Sequence, residues 1–188
     1  MILPIIVYGH PILRKQSQEI TSNYPDIKEF ISNMYDTMYN AKGVGLAAPQ
    51  VGLSICLFII DTTEMEDEKD KDKAVKQTFI NPEIIEFSGE DFVFSEGCLS
   101  VIEIHENVTR KSKVTIRYQD ENFVEHTDTF DGMPARVIQH EYDHLLGKTF
   151  VEYLSPLKKT LLKRKLNDIS SGKKTTFYKT KVGKTEKK

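Results

Sequence analysis

Hydrophobic positions recur at helical spacing in three stretches of the chain, and strand-like runs fill the space between the first two. Ile27, Phe30, Ile31, Met34 and Met38 form the first stripe, opened by residues 23–26 with Pro25 in the expected first turn and stopped at Lys42-Gly43. A second helix is expected from Pro134 to about Leu146, with Gly147 behind it as a stop. A third starts at Ser155-Pro156 and sets Leu157, Leu161, Leu162 and Leu166 against a remainder rich in lysine and arginine. Residues 54–61 are β-branched and apolar and read as a buried strand. Residues 77–87 add more strand, and 114–118 with 123–130 read as an antiparallel hairpin around a polar turn. The pattern by itself supports mixed α and β.

Composition narrows the class without naming a function. A chain of 188 residues, 39% hydrophobic and 29% charged, has room for one domain and the make-up of a soluble globular protein. Its longest apolar runs, such as residues 55–60, fall far short of the roughly 20 residues of a spanning helix, so no membrane partner is expected. The N-terminal stretch has no basic leader, full apolar region or small-residue cleavage site, which predicts a cytoplasmic protein. A net charge of −2 excludes a surface given over to nucleic acid. Two cysteines, Cys56 and Cys98, are too few for a disulfide framework, so a special cysteine is a ligand or a nucleophile. Charge is instead local. Residues 64–73 read as a solvated insertion, and 170–188 as a basic flexible tail behind a single domain at 1–169.

The sharpest chemical signal is His140-Glu141-Tyr142-Asp143-His144. At 3.6 residues per turn, positions i and i+4 project from one face of a helix, so both imidazoles can reach one metal ion while Glu141 addresses a water beside it. Chance is a weak rival: a shuffled chain of this composition shows H-E-x-x-H roughly once in a hundred times. A catalytic metal site typically has three protein ligands and one open position. Two candidates stand for the third ligand. Glu152 lies downstream, as the acid does in zinc proteases, and Cys98 has Gly97 beside it to allow a tight backbone path.

Three segments occur in a telling order: Gly43-Val44-Gly45-Leu46-Ala47-Ala48-Pro49-Gln50, Glu96-Gly97-Cys98-Leu99-Ser100 and Gln139-His140-Glu141-Tyr142-Asp143-His144-Leu145. They resemble the three signature motifs of the peptide deformylases, and weaker similarity runs from residue 3 to about residue 166. The resemblance implies an α+β fold in which antiparallel β-sheets wrap around a central helix carrying the H-E-x-x-H motif. It also implies removal of the formyl group from the N-terminal formylmethionine of newly made polypeptides, releasing formate, in a bacterial cytoplasm.

By the same resemblance, Cys98, His140 and His144 hold one divalent metal ion, Fe2+ first, with Zn2+, Ni2+ or Co2+ as substitutes. A sulfur and two imidazoles suit late first-row metals. Glu141 becomes general base and acid, while Gln50 and the backbone N–H of Leu99 stabilise the formyl oxygen as it gains charge. Val44, Phe94, Met133 and Val137 match the walls of a methionine pocket, and Gly45 offers backbone to the extended peptide in the manner of an added strand. Glu96, in a supporting role, and Gly97 complete the substrate side; Arg110 is expected to pair charge. The chain departs from the family at Ile102, where many relatives carry proline, and at His105, where many carry arginine, so the entrance is expected to differ. His10 and His126 are expected at the surface or in packing, and Cys56 as an inert thiol in the buried strand. Formylmethionyl nascent peptides are the implied partners, the ribosome a further one through the basic helix and tail, and the chain is expected to be a monomer. Two rivals remain: a zinc metalloprotease with Glu152 or another acid as third ligand, and a non-enzymatic binder of formyl peptides or the ribosome.

Overall fold

The chain enters through β1 (Ile5–Ile6) and α1 (Ile27–Asn40), then lays down β2 (Gly45–Ala47), β3 (Leu57–Asp61), β4 (Lys76–Cys98), β5 (Val101–Gln119) and β6 (Glu125–Asp131). These last five form one antiparallel sheet in chain order, followed by α2 (Gly132–Leu145), α3 (Pro156–Ser170) and β7 (Thr180–Lys181). The structure, a computed structural model, describes residues 1–65 and 74–183. Of the expected insertion at 64–73 only Glu64 and Met65 are described, and Met65 packs half-buried against the core. Among the described residues no helix is long and apolar enough to cross a membrane.

The architecture is α+β with α2 at its centre, as expected. Every residue of α2 except Gly132, Met133 and Tyr142 is buried. Ala135, Ile138 and Leu145 pack against Phe58, Phe79 and Val114 of the sheet, where the Phe58 and Phe79 rings stack with centroids 4.6 Å apart. Each such large side chain withdrawn from water contributes roughly 1.5–3 kcal/mol. α1 covers another part of the sheet with Ile27, Ile31, Met34 and Met38 against Leu46 and Leu57. It starts later than the pattern predicts: Asp26 is left-handed at φ 53° and gives no side-chain cap, so Pro25 stands before the helix.

β4 and β5 are far longer than the sequence pattern predicts. They pair from Ile80 opposite Gln119 to Cys98 opposite Val101, with four register shifts on the way. Such bulges bend and twist a ribbon. α3 also differs. Leu162, Leu166 and Ile169 are buried against Val101, Ile104 and Phe150, while Leu157 and Leu161 are exposed, so the apolar stripe is narrower and rotated. The expected flexible tail is docked as far as Gly183. The chain reverses at Gly172 (φ +74°), and Ile5 and Val7 donate N–H bonds to the carbonyls of Lys179 and Lys181, giving backbone groups of β1 their partners. Residues 184–188 lie outside the described part.

Candidate metal centre

Cys98, at the end of β4, faces one side of α2. Its Sγ and ring nitrogens of His140 and His144 lie within 4.8 Å of one another, with 3.3 Å between Sγ and His144 Nε2. Both histidines are buried. His140 Nδ1 lies 2.9 Å from a Glu96 carboxylate oxygen, and as donor there it leaves Nε2 for the sulfur side. Glu152 does not join this group. Its carboxylate accepts from the Thr149 hydroxyl at 2.8 Å, and the group among the described residues that could hold a metal ion is Cys98, His140 and His144.

Beneath the histidines lies a buried ionic cluster. Glu96 takes Arg110 Nε at 2.6 Å, Arg110 Nη2 at 3.0 Å and Arg136 Nη1 at 2.8 Å, while Arg110 Nη1 reaches Asp143 at 2.8 Å. Tyr153 donates its hydroxyl to Asp143 and lies under the Arg110 guanidinium, 4.8 Å from the ring centre. Burial alone would raise the Glu96 carboxyl, but hydrogen bonds from His140 and Arg110 hold it well below the usual range. Both Glu96 oxygens are taken by protein groups, and the residue also lines the cleft above. Arg110 pairs charge as expected.

Glu141 is buried, and among the described residues its Oε2 has no hydrogen-bond partner. Burial pushes its carboxyl up to about 7. Gly45 lies directly against it, so closely that a Cβ would come 2.8 Å from Glu141 Cδ and overlap Oε1. Gln50 stands on a short 3-10 turn, its Oε1 taking the Ala47 N–H at 2.7 Å. That bond aims the amide nitrogen at Ser100 Oγ, 3.2 Å away, and Cys98 Sγ, 3.6 Å away. Burial works against a proton on His140, yet Cys98 and Glu96 hold its pKa well above the ordinary value; burial and the neighbouring His140 push His144 well below. A soft sulfur, two imidazoles and an orphaned carboxylate oxygen fit a divalent cation.

A largely apolar cavity of about 490 Å³ opens over Cys98, His140, Glu141 and Gln50. Leu99 lines it, with Val44, Gly45, Phe94, Gly97, Met133 and Val137. His105 packs against Gly97 so closely that a Cβ there would meet its Nε2 at 2.5 Å, and Ile102 is buried beside the cleft. Sequence reasoning missed Met65, Arg136 and residues 176–178, which also line the cavity. None carries a local motif that could have marked it. His10 caps the turn at Pro11–Arg14, and His126 pairs with Asp120. Cys56 stands just ahead of β3 rather than in it, its thiol pushed up to about 11 by burial and by Glu19.

Two buried histidines and a half-buried cysteine with a glutamate beside them, at the floor of an apolar cleft, define a metal-dependent hydrolase. The family model described as Polypeptide deformylase matches residues 2–160. Proteins named peptide deformylase from Christiangramia forsetii and Flavobacterium johnsoniae are each 53% identical to this chain. The matches cover 95% and 100% of this chain and 95% and 99% of the relatives. A solved peptide deformylase structure from Legionella pneumophila has a TM-score of 0.80 at 38% identity, covering 92% of this chain and 98% of its own. The chain belongs to the peptide deformylase family, and its activity is hydrolytic removal of the N-formyl group.

Proposed function

We propose that this chain deformylates nascent polypeptides in the bacterial cytoplasm as a monomer, with ferrous iron held by Cys98, His140 and His144. The observation that carries the reading is the convergence of those three ligand atoms at the floor of a cleft that also holds Glu141 and Gln50. When bound, the divalent cation supplies Lewis acidity, lowering the pKa of water and polarising the formyl carbonyl.

The remaining work falls to the chain's own groups. Glu141 takes a proton from the attacking water as its oxygen bonds to the formyl carbon. It then returns that proton to the nitrogen as the C–N bond breaks, leaving formate and a free amino terminus. The Gln50 amide and the Leu99 N–H stabilise the formyl oxygen while it carries negative charge; one such donor is worth about 3 kcal/mol. β2 is the edge strand of the sheet, so an extended peptide can add beside Gly45 through backbone hydrogen bonds. Val44, Phe94, Met133 and Val137 offer an apolar pocket to the flexible methionine side chain. The basic face of α3 is the surface for the ribosome.

The test is formate release from formyl-Met-Ala-Ser by protein purified anaerobically, with metal analysis of the same sample and of Cys98→Ala. Iron at one per chain with turnover, and loss of both in Cys98→Ala, supports the assignment. Metal bound without formate release would leave a formyl-peptide binder on this fold.

A further inference from the structure

Among the described residues the chain beyond α3 adds nothing to the Cys98, His140 and His144 group, yet it is built into the mouth of the cleft. Thr176, Phe177 and Tyr178 line the cavity that holds Cys98 and Glu141. Separate contacts hold this segment in place. Lys174 pairs with Glu103, the Tyr178 hydroxyl donates to the Leu99 carbonyl at 2.8 Å, and the Lys42 ammonium lies 5.7 Å from the centre of the Phe177 ring. β7 then ties the end of the segment to β1.

The contacts to Lys42 and Leu99 put the segment beside Gly43 and the β2 edge, along which the peptide is proposed to run. Lys42 and Leu99 flank Gly43, whose own Cβ would come 2.7 Å from Leu99 Cδ1, and Gly43 leads directly into the β2 edge. Of the four residues proposed for the methionine pocket, Phe94, Met133 and Val137 come from β4 and α2, and Val44 from the Gly43–Gly45 stretch. In an extended peptide successive side chains point to opposite faces, so a methionine entering between β4 and α2 sends the next side chain away from that pocket. The Phe177 ring is 69% exposed, edge-on to Tyr178 with centroids 5.2 Å apart. It presents a fixed aromatic surface at the cleft where an apolar side chain can pack.

We propose that Phe177 and Tyr178 form the subsite for the residue that follows the N-terminal methionine and favour apolar and aromatic side chains there. Phe177 acts by contact. Tyr178 is a positioning residue: it holds the Leu99 peptide and, through it, the rim of the site. The inference rests on the deformylase reading and names the substrates that the site prefers.

The test compares formyl-Met-Phe-Ser with formyl-Met-Gly-Ser on the iron-loaded parent, Phe177→Ala and Tyr178→Phe, and measures affinity for the products Met-Phe-Ser and Met-Gly-Ser by calorimetry. The parent is expected to favour the Phe peptide by about tenfold in kcat/KM, the scale of one apolar contact. Phe177→Ala brings that ratio and the product-affinity ratio close to one. Tyr178→Phe raises KM for the Phe peptide more than it lowers kcat. Equal effects of Phe177→Ala on both peptides, or none on either, overturn the subsite. If the parent releases no formate, the deformylase reading fails, and the product affinities decide the subsite: a parental ratio near one overturns it.

Discussion

Gly45 and Glu141 meet at a distance that only a hydrogen side chain permits. Gly45 is fixed by pairing with Ile60 across β2 and β3, and Glu141 by its place in buried α2, so neither backbone can retreat. Gly45→Ala is therefore predicted to lower kcat for formate release by tenfold or more, with metal content and circular dichroism unchanged; full activity would show that the carboxylate can sit elsewhere. Glu141→Ala is predicted to keep its metal and lose roughly 10²–10⁴ in rate. Cys56 offers a pH test away from the site. Burial disfavours its thiolate, so its alkylation in a Cys98→Ser background should rise about tenfold per pH unit from 8 to 10 and not level off below its pKa of about 11. A plateau near pH 9 would contradict the buried environment. The two histidines and Glu141 were legible because their spacing is local to one helix turn. Cys98 lies more than forty positions away, and only the resemblance selected it over Glu152. Arg136 and Phe177 are ordinary residue types that tertiary structure alone brings to the cleft.

At the level of elements, the site depends on how β4 and β5 are tied to α2. Glu96 of β4, Arg110 of β5 and Asp143 of α2 form one buried chain of charge, with Arg110 Nε 2.6 Å from Glu96. Removing Arg110 leaves buried Asp143 without its cation and Glu96 with Arg136 alone. Arg110→Ala is predicted to destabilise the fold by about 3–5 kcal/mol, read as a lower urea midpoint. A shift below about 1 kcal/mol would mean that the cluster relaxes into water. This hairpin was only partly legible. Its outer reach carries mostly polar residues and exposes Ile85, Phe87 and Val93, so neither face shows the alternation that burial imposes on a strand. α2 and α1 were read well because each buries a wide stripe. α3 was read less well, since two of its four expected apolar positions face solvent.

Across the whole molecule, charge is nearly balanced, 26 basic residues against 28 acidic, but it is not evenly spread. α3 alone carries Lys158, Lys159, Lys163, Arg164 and Lys165, and its inner face is fixed to the core through Leu162, Leu166 and Ile169. A cationic surface on a rigid helix, remote in sequence from the metal ligands, can engage a polyanion without altering the cleft. Lys163, Arg164 and Lys165 are exposed, and replacing all three by serine is predicted to abolish co-sedimentation with ribosomes while formate release from a free tripeptide stays at the parental rate. Because such contacts release counterions, co-sedimentation of the parent should weaken steeply between about 50 and about 200 mM salt. Ribosome binding that survives both the triple substitution and the higher salt would assign the contact to another face of the protein. Loss of tripeptide turnover in the triple variant would show instead that α3 is coupled to the cleft through the segment that carries Tyr178.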